Sequence, residues 1–445
     1  MHTWYEQAVF YHIYPLGLLG AEKTNTLTET AHRLTELESW IPHISDLNGS
    51  AIYIGPLFES RTHGYDTKDF RLVDRRLGSN EDFARFVRLC HENGIRVVVD
   101  GVFNHTGREF FAFQDIREKR EASPYKDWYR GVNFGWGSPL GDPFGYEAWQ
   151  GHFELPCLNL WNPEVRQYLF NSIQFWVDNF NIDGIRLDCA NVLDFGFMKE
   201  LREKTSAMKP DFWLMGEVIH GEYNRWVNPE MLHSVTNYEL HKALYSGHND
   251  HNYFEIAHNV RRLEAVGRSL YTFVDNHDED RIASKLNNLA NLFPVYQLLF
   301  TLPGIPSVYY GSEWGIEGKR SRTSDEVLRP ALNLSDMLGK APELASHIAA
   351  LGKIHTENDA FHNGSYKELL LTNRQYAFSR SGEHGTVISA VNNDEQPASI
   401  SIPLPCAASD VVSLLPGEIP FSLENGRLSV TLPANGGAIF KLQEV

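Results

Sequence analysis

The sequence predicts an α/β protein: a (β/α)8 TIM barrel with a subdomain inserted after its third strand, followed by a C-terminal antiparallel β-sandwich domain. Three observations predict it. Short apolar or β-branched runs alternate with amphipathic stretches over roughly 330 residues, which suits strands buried on both faces. A Gly- and aromatic-rich stretch of about sixty residues interrupts that alternation after the third run, longer than an ordinary strand-to-helix loop. After about residue 355 the pattern becomes short strand-like runs punctuated by Gly, Pro and Asn.

In chain order the runs are AVFYHIYP (8–15), AIYIGPLF (51–58), IRVVVDGVF (95–103), IDGIRLDCA (182–190), FWLMGEV (212–218), the weaker SVTNYEL (234–240), YTFVDNHD (271–278) and GIPSVYYGS (304–312). Helices are expected over 27–44, 80–92, 163–179, 195–207, 253–266 and 282–300. In the second of these Phe83, Phe86, Val87 and Cys90 form one face, and Gly94 offers a C-terminal cap. Eight strands with intervening helices favour a closed barrel over an open doubly wound sheet. The expected division is 1–105 and 161–354 for the barrel, 106–160 for a subdomain roofing the cleft, and 355–445 for the β domain.

Composition narrows the function. The 57 acidic residues against 40 Lys and Arg give a net charge of −17, which disfavours nucleic acid or an anionic membrane as partner. Aromatics make up 12% of the chain, and 10 Trp with 19 Tyr suit either stacking on a sugar ring or core filling. The cysteines Cys90, Cys157, Cys189 and Cys406 show no CxxC spacing, so neither a zinc knuckle nor a disulfide framework is expected. No Walker loop, GxGxxG, signal-like leader or membrane-length apolar run occurs, and a cytoplasmic location is expected.

The chemistry-bearing residues follow the strands. Asp100, Asn104 and His105 end the third run, Arg186 and Asp188 the fourth, Glu217 the fifth, and His277 with Asp278 the seventh. A barrel enzyme keeps its chemistry at the carboxyl ends of its strands. A glycosidase needs two carboxyl groups across one bond, one to attack or activate water and one to protonate the departing oxygen. Asp188 and Glu217, on adjacent strands, are the natural pair. Arg186, two residues before Asp188, lies on the same side of its strand and can orient it, or it merely neutralises a buried carboxylate. His105 and His277 can donate to sugar hydroxyls, and Asp278 can accept from them; alternatively His277 and Asp278 cap the following helix with Asp280.

DGVFNH (100–105), GIRLD (184–188), GEV (216–218) and FVDNHD (273–278), in this order, resemble the four signature regions of the alpha-amylase family of retaining glycoside hydrolases. The resemblance implies that Asp188 is the nucleophile, Glu217 the general acid/base and Asp278 the third carboxylate. It makes His105, Arg186 and His277 the sugar contacts beside the scissile bond and Asp100 a structural residue. In THGYD (62–66), Tyr65 matches the aromatic platform and Asp66 supports the same corner, although Tyr65 could instead simply pack its loop. LPCLN (155–159), and Asn191 in DCANV, are similar to the neopullulanase, cyclomaltodextrinase and maltogenic amylase group, with Val192 a departure from its pattern. Asn191 and His220 complete the expected substrate contacts. Val9 already begins the first strand, so the extra amino-terminal domain of that group is not expected, and a monomer is expected rather than the dimer that domain carries.

The implied activity is hydrolysis of α-1,4-glucosidic bonds in maltooligosaccharides, cyclodextrins and related α-glucans. The alternatives are a 4-α-glucanotransferase working through the same glycosyl-enzyme, or a starch-preferring alpha-amylase. No cofactor is required by this chemistry. Asn104 matches a position that often ligates calcium in the family, and no metal is assigned. A sugar-binding protein on an inactive barrel is disfavoured because all three carboxylates are present.

Overall fold

The computed structural model describes residues 3–444; Met1, His2 and Val445, at the ends of the expected barrel and β domain, lie outside the described residues. All eight runs contribute strands to one parallel sheet: β1 (Phe10–Ile13), β2 (Ala51–Ile54), β3 (Arg96–Gly101), β4 (Gly184–Leu187), β5 (Trp213–Gly216), β6 (Ser234–Val235), β7 (Tyr271–Phe273) and β8 (Ile305–Tyr309). Their order is β6-β5-β4-β3-β2-β1-β8-β7. A parallel bridge between Thr236 and Tyr271 closes the barrel.

Strand alternation sorts the side chains. Phe10, Ala51, Tyr53, Val98, Trp213, Met215, Tyr271, Phe273 and Ile305 pack together as one cluster, with the Trp213 ring stacked on Phe10 at 4.9 Å. Their neighbours Tyr11, Ile52, Val97, Val99, Ile185 and Leu214 join the larger core beneath the helices. The same alternation continues upward: His12 follows Phe10, Asp100 follows Val98, Asp188 follows Arg186, and Glu217 follows Met215. An apolar plug therefore fills the lower barrel and a polar layer forms above it.

The expected helix face over 80–92 is found in Asn80–Glu92, where Ser79 caps the start by accepting from the Asp82 amide at 3.2 Å. The helices expected over 163–179 and 195–207 are found as Pro163–Phe180 and Phe195–Met208, while other elements differ from expectation. The stretch 27–44 forms a 3-10 turn, Arg33–Ser39, followed by the helix Trp40–Asp46; Pro42 fits the first turn of that helix but would break a longer one. The helix expected over 282–300 is divided into Ile282–Lys285 and Leu292–Thr301, because Asn288 turns back to accept from the Ala290 amide. The sixth run stops at Val235, and Asn237 caps a helix, Tyr238–Asn249, that takes the rest of it. A further helix, Pro342–Glu357, precedes the β domain.

Residues 106–160 carry the helix Phe111–Lys119 and a small hairpin, Ala148–Trp149 with His152–Pro156. This excursion has its own aromatic core of Phe113, Tyr129, Phe144 and Tyr146. It is laced to the top of β3 by the Leu158 amide donating to the Asn104 carbonyl at 2.9 Å and the Thr106 amide to the Pro156 carbonyl at 3.1 Å.

The last domain holds β9 (Ser365–Leu371), β10 (Gln375–Gly382), β11 (Gly385–Asn392), β12 (Ala398–Pro403), β13 (Ala408–Ser413), β14 (Phe421–Glu424), β15 (Arg427–Leu432) and β16 (Gly436–Glu444). They form antiparallel sheets ordered β9-β10-β11-β16-β13 and β12-β15-β14, enclosing a core that includes Ile388, Ile402, Val430 and Phe440. Buried polar groups fasten this domain to the barrel. Gln297 donates to Ser389 Oγ and to the carbonyls of Ala390 and Ala438, and Arg380 donates to the carbonyls of Thr301, Phe361 and Gly364. No helix among the described residues is long and apolar enough to cross a membrane.

Candidate active site

Four adjacent strands build the centre of the site. Asp100 on β3 and Arg186 on β4 are register partners, so their inward side chains meet: Arg186 Nη1 donates to Asp100 Oδ1 at 2.9 Å. The same nitrogen reaches Asp188 Oδ1 at 2.9 Å, and Nη2 lies 2.9 Å from Glu217 Oε1. One guanidinium, 3% exposed, thus joins three carboxylates that strand alternation and register bring together. Tyr53 donates to the other oxygen of Asp100 at 2.9 Å, which fixes that residue beside Arg186.

Glu217 is further oriented by the Cys189 amide at 3.0 Å and the Tyr238 hydroxyl at 3.3 Å. Burial pushes its carboxyl above the ordinary range; Arg186 opposes that shift, while the negative charges of Asp188 and Asp278 add to it. Asp278 goes the other way. Burial acts to raise it, but His277, Arg329 and Arg186 together hold it well below the usual carboxylate range. Arg329 Nη2 lies 2.6 Å from its Oδ1 and His277 Nε2 3.1 Å from its Oδ2.

Tyr65 projects from the loop after β2, with its hydroxyl 2.5 Å from His277 Nε2 and 3.4 Å from Asp100 Oδ2. Its ring stacks on His277 at 5.8 Å. Asp66 sits under this turn, accepting from the Thr62 amide and hydroxyl. The structure therefore makes Asp66 a brace for the turn that presents Tyr65. His105 is 1% exposed and burial lowers its pKa; its Nε2 has no hydrogen-bond partner, and its ring faces Trp149 of the insertion at 6.1 Å. Asn191 and His220 lie exposed on the loops after β4 and β5.

His105, Asp188 and Cys189 bring donor atoms within 4.8 Å of one another. Burial keeps the Cys189 thiol well above its ordinary pKa, so it is a hydrogen-bond donor to Asp188 Oδ2 at 3.2 Å rather than a thiolate ligand. The residues around Asn104 do not fit calcium. Its amide nitrogen is 3.2 Å from His105 Nδ1 and its side chain meets the Cys157 thiol, where calcium would take a cage of carboxylate and carbonyl oxygens.

Several contacts lay outside the sequence reading. Arg329 comes from the loop after β8, 51 residues beyond Asp278, and no motif marks it. Tyr238 falls within the run that the sequence predicts as a strand, and the signal that it begins a helix is Asn237, which caps it. Beside Arg329 a cavity of about 780 Å³ opens between Tyr14, His63, Arg76 and Asp325, and a second of about 430 Å³ lies between His63, Asp66, Arg108 and Glu154.

A family profile described as the alpha amylase catalytic domain matches residues 25–353, nearly three-quarters of the chain and all eight barrel strands except β1. The chain belongs to the alpha-amylase family. It is a glycoside hydrolase by that membership. Among alpha-amylase family relatives, a cyclomaltodextrinase from Geobacillus thermopakistaniensis is 29% identical over 99% of this chain and 78% of its own length. Another cyclomaltodextrinase, from Thermoanaerobacter pseudethanolicus, is 32% identical over 80% of this chain and 62% of its own. The debranching enzyme of Nostoc punctiforme superposes with a TM-score of 0.85 at 27% identity, covering 99% of this chain and 100% of its own.

Proposed function

We propose that this chain hydrolyses α-1,4-glucosidic bonds in maltooligosaccharides, cyclodextrins and related α-glucans with retention of configuration. The observation that carries the reading is Arg186, whose two terminal nitrogens each reach one member of a carboxylate pair, Asp188 and Glu217, at 2.9 Å. Similarity to cyclomaltodextrinases supports the substrate class.

In the first step Asp188 attacks the anomeric carbon, the bond to the departing oxygen breaks, and Glu217 gives that oxygen its proton. The raised pKa of Glu217 suits it to hold that proton in the free enzyme. In the second step the Glu217 carboxylate takes a proton from water, which displaces Asp188 from the sugar and regenerates both groups. Asp278, kept anionic by His277 and Arg329, opposes the positive charge that grows on the ring. Tyr65 offers the stacking face, and the neutral His105 imidazole a hydrogen bond to a hydroxyl. A monomer in the cytoplasm belongs to the same proposal, supported by four free cysteines that suit a reducing compartment. Gel filtration tests the oligomeric part.

The test is a product time course on maltotriose, β-cyclodextrin, pullulan and soluble starch, with the first-formed anomer followed by NMR. The reading expects the α-anomer and faster turnover of maltotriose and cyclodextrin than of starch. A β-anomer would overturn retention, and a clear preference for starch would overturn the substrate class. Longer products that grow with acceptor concentration would identify a transferase instead.

A further inference from the structure

We propose that Cys189 is a positioning residue that sets the geometry of both reacting carboxylates, its amide holding Glu217 and its thiol holding Asp188. The inference rests on the catalytic pair proposed above and goes beyond it, because the residue after a nucleophile needs no polar group for the chemistry itself.

Three observations carry it. Cys189 has φ +40° and ψ +47°, a left-handed conformation that non-glycine residues rarely adopt and that persists where surroundings impose it. That turn of the backbone aims its N–H across the strand gap at Glu217 Oε2, 3.0 Å away and 28 residues along the chain. It also folds the side chain back toward its own neighbour, where Sγ is 3.2 Å from Asp188 Oδ2. The opposite oxygen of Asp188 is taken by Arg186, so the carboxylate plane is fixed from both ends. Burial leaves the group 5% exposed and keeps the thiol protonated, hence a donor throughout the working range. A thiol is a weak donor. It can orient Oδ2 in the free enzyme and still yield that oxygen to the anomeric carbon at little cost.

The test compares Cys189→Ser, Cys189→Ala and Cys189→Gly on maltotriose and on an aryl α-maltoside with a good leaving group, with thermal midpoints measured alongside. Serine restores a donor, alanine removes it, and glycine removes it while accepting the left-handed backbone without strain. The expected result is Cys189→Ser within about threefold of the parent kcat, and Cys189→Ala and Cys189→Gly lower by about tenfold on both substrates with KM little changed. The glycine variant keeps the test available if alanine fails to fold. If the sulfur only fills space, a buried hydroxyl should be worse than a methyl; Cys189→Ala equal to or faster than Cys189→Ser therefore overturns the proposal. Asp188→Asn on the aryl maltoside separates the two levels. Retained turnover there sinks the catalytic pair itself, whereas lost turnover with the alanine variant equal to serine sinks only the role of Cys189.

Discussion

Arg186 is the residue that ties the carboxylates of the proposed site together. A planar guanidinium reaches Asp100 and Asp188 from one terminal nitrogen and Glu217 from the other, a spread that the single nitrogen of a lysine ammonium does not reproduce. Arg186→Lys should therefore cut kcat/KM by at least about tenfold, while Arg186→Leu, which strands three buried acids, should destabilise the fold by roughly 3–5 kcal/mol in chemical denaturation. Glu217→Gln should lower the rate on maltotriose by about 10² to 10⁴, and less on an aryl maltoside whose leaving group needs little protonation. Equal losses on both substrates would mean that Glu217 is not the proton donor. The pH profile has a definite sign. Because burial raises Glu217, the donor is protonated below its elevated pKa and activity falls as pH rises through it, so the alkaline limb of kcat/KM should lie above the ordinary carboxylate range and vanish in the Gln variant. The pairing of Asp188 with Arg186 was legible in the sequence because strand alternation puts residues two apart on one side, whereas the division of roles between Asp188 and Glu217 came from the resemblance to the alpha-amylase family. Arg329 was not legible, since its place beside Asp278 depends on the path of a loop, which no periodicity encodes.

Elements were legible where burial and propensity agreed. The β3 run, with its buried Val97, Val98 and Val99, suits an interior strand, and Phe83, Phe86, Val87 and Cys90 are all buried on one helix face as expected. The reading failed where one residue overruled a pattern, as Pro42 and Asn237 did by restarting the chain as helix. The insertion shows the same division. Its length and aromatic content are plain in the sequence, but the roles of its aromatics are not: Phe113, Tyr129, Phe144 and Tyr146 form its core, Trp136 is 65% exposed, and Trp149 faces His105. Trp149→Ala should raise KM for maltotriose about tenfold with a smaller effect on kcat, the scale of one lost aromatic stacking contact. An unchanged KM would show that this hairpin does not roof the bound sugar.

Across the whole molecule the barrel is polarised, with Asp188 and Glu217 at the carboxyl ends of the strands and a separate ionic cluster at the opposite end. Asp183, one residue before β4 and 1% exposed, sits 2.6 Å from His91 Nε2, 2.8 Å from Lys209 Nζ and 3.0 Å from Arg96 Nη1, and accepts from the Val97 amide at 2.9 Å. Burial acts to raise its pKa, but the bonds from His91, Lys209 and Val97 bring it down to about 2. The cluster staples three successive βα units at the end of the barrel where conserved chemistry is not expected, so its contribution is to stability. Against an unfolded carboxyl near 3.9, a depressed folded value contributes about 2 kcal/mol that is fully present above about pH 4 and is lost as pH falls toward about 2. Asp183→Asn should accordingly lower stability by at least about 2 kcal/mol at pH 7, leave kcat on maltotriose unchanged, and differ from the parent by progressively less as denaturation is measured from pH 6 down to pH 3. A stability difference that stays constant over that window would show that the carboxylate charge contributes nothing there, and a large fall in kcat would show that the two ends of the barrel are not independent.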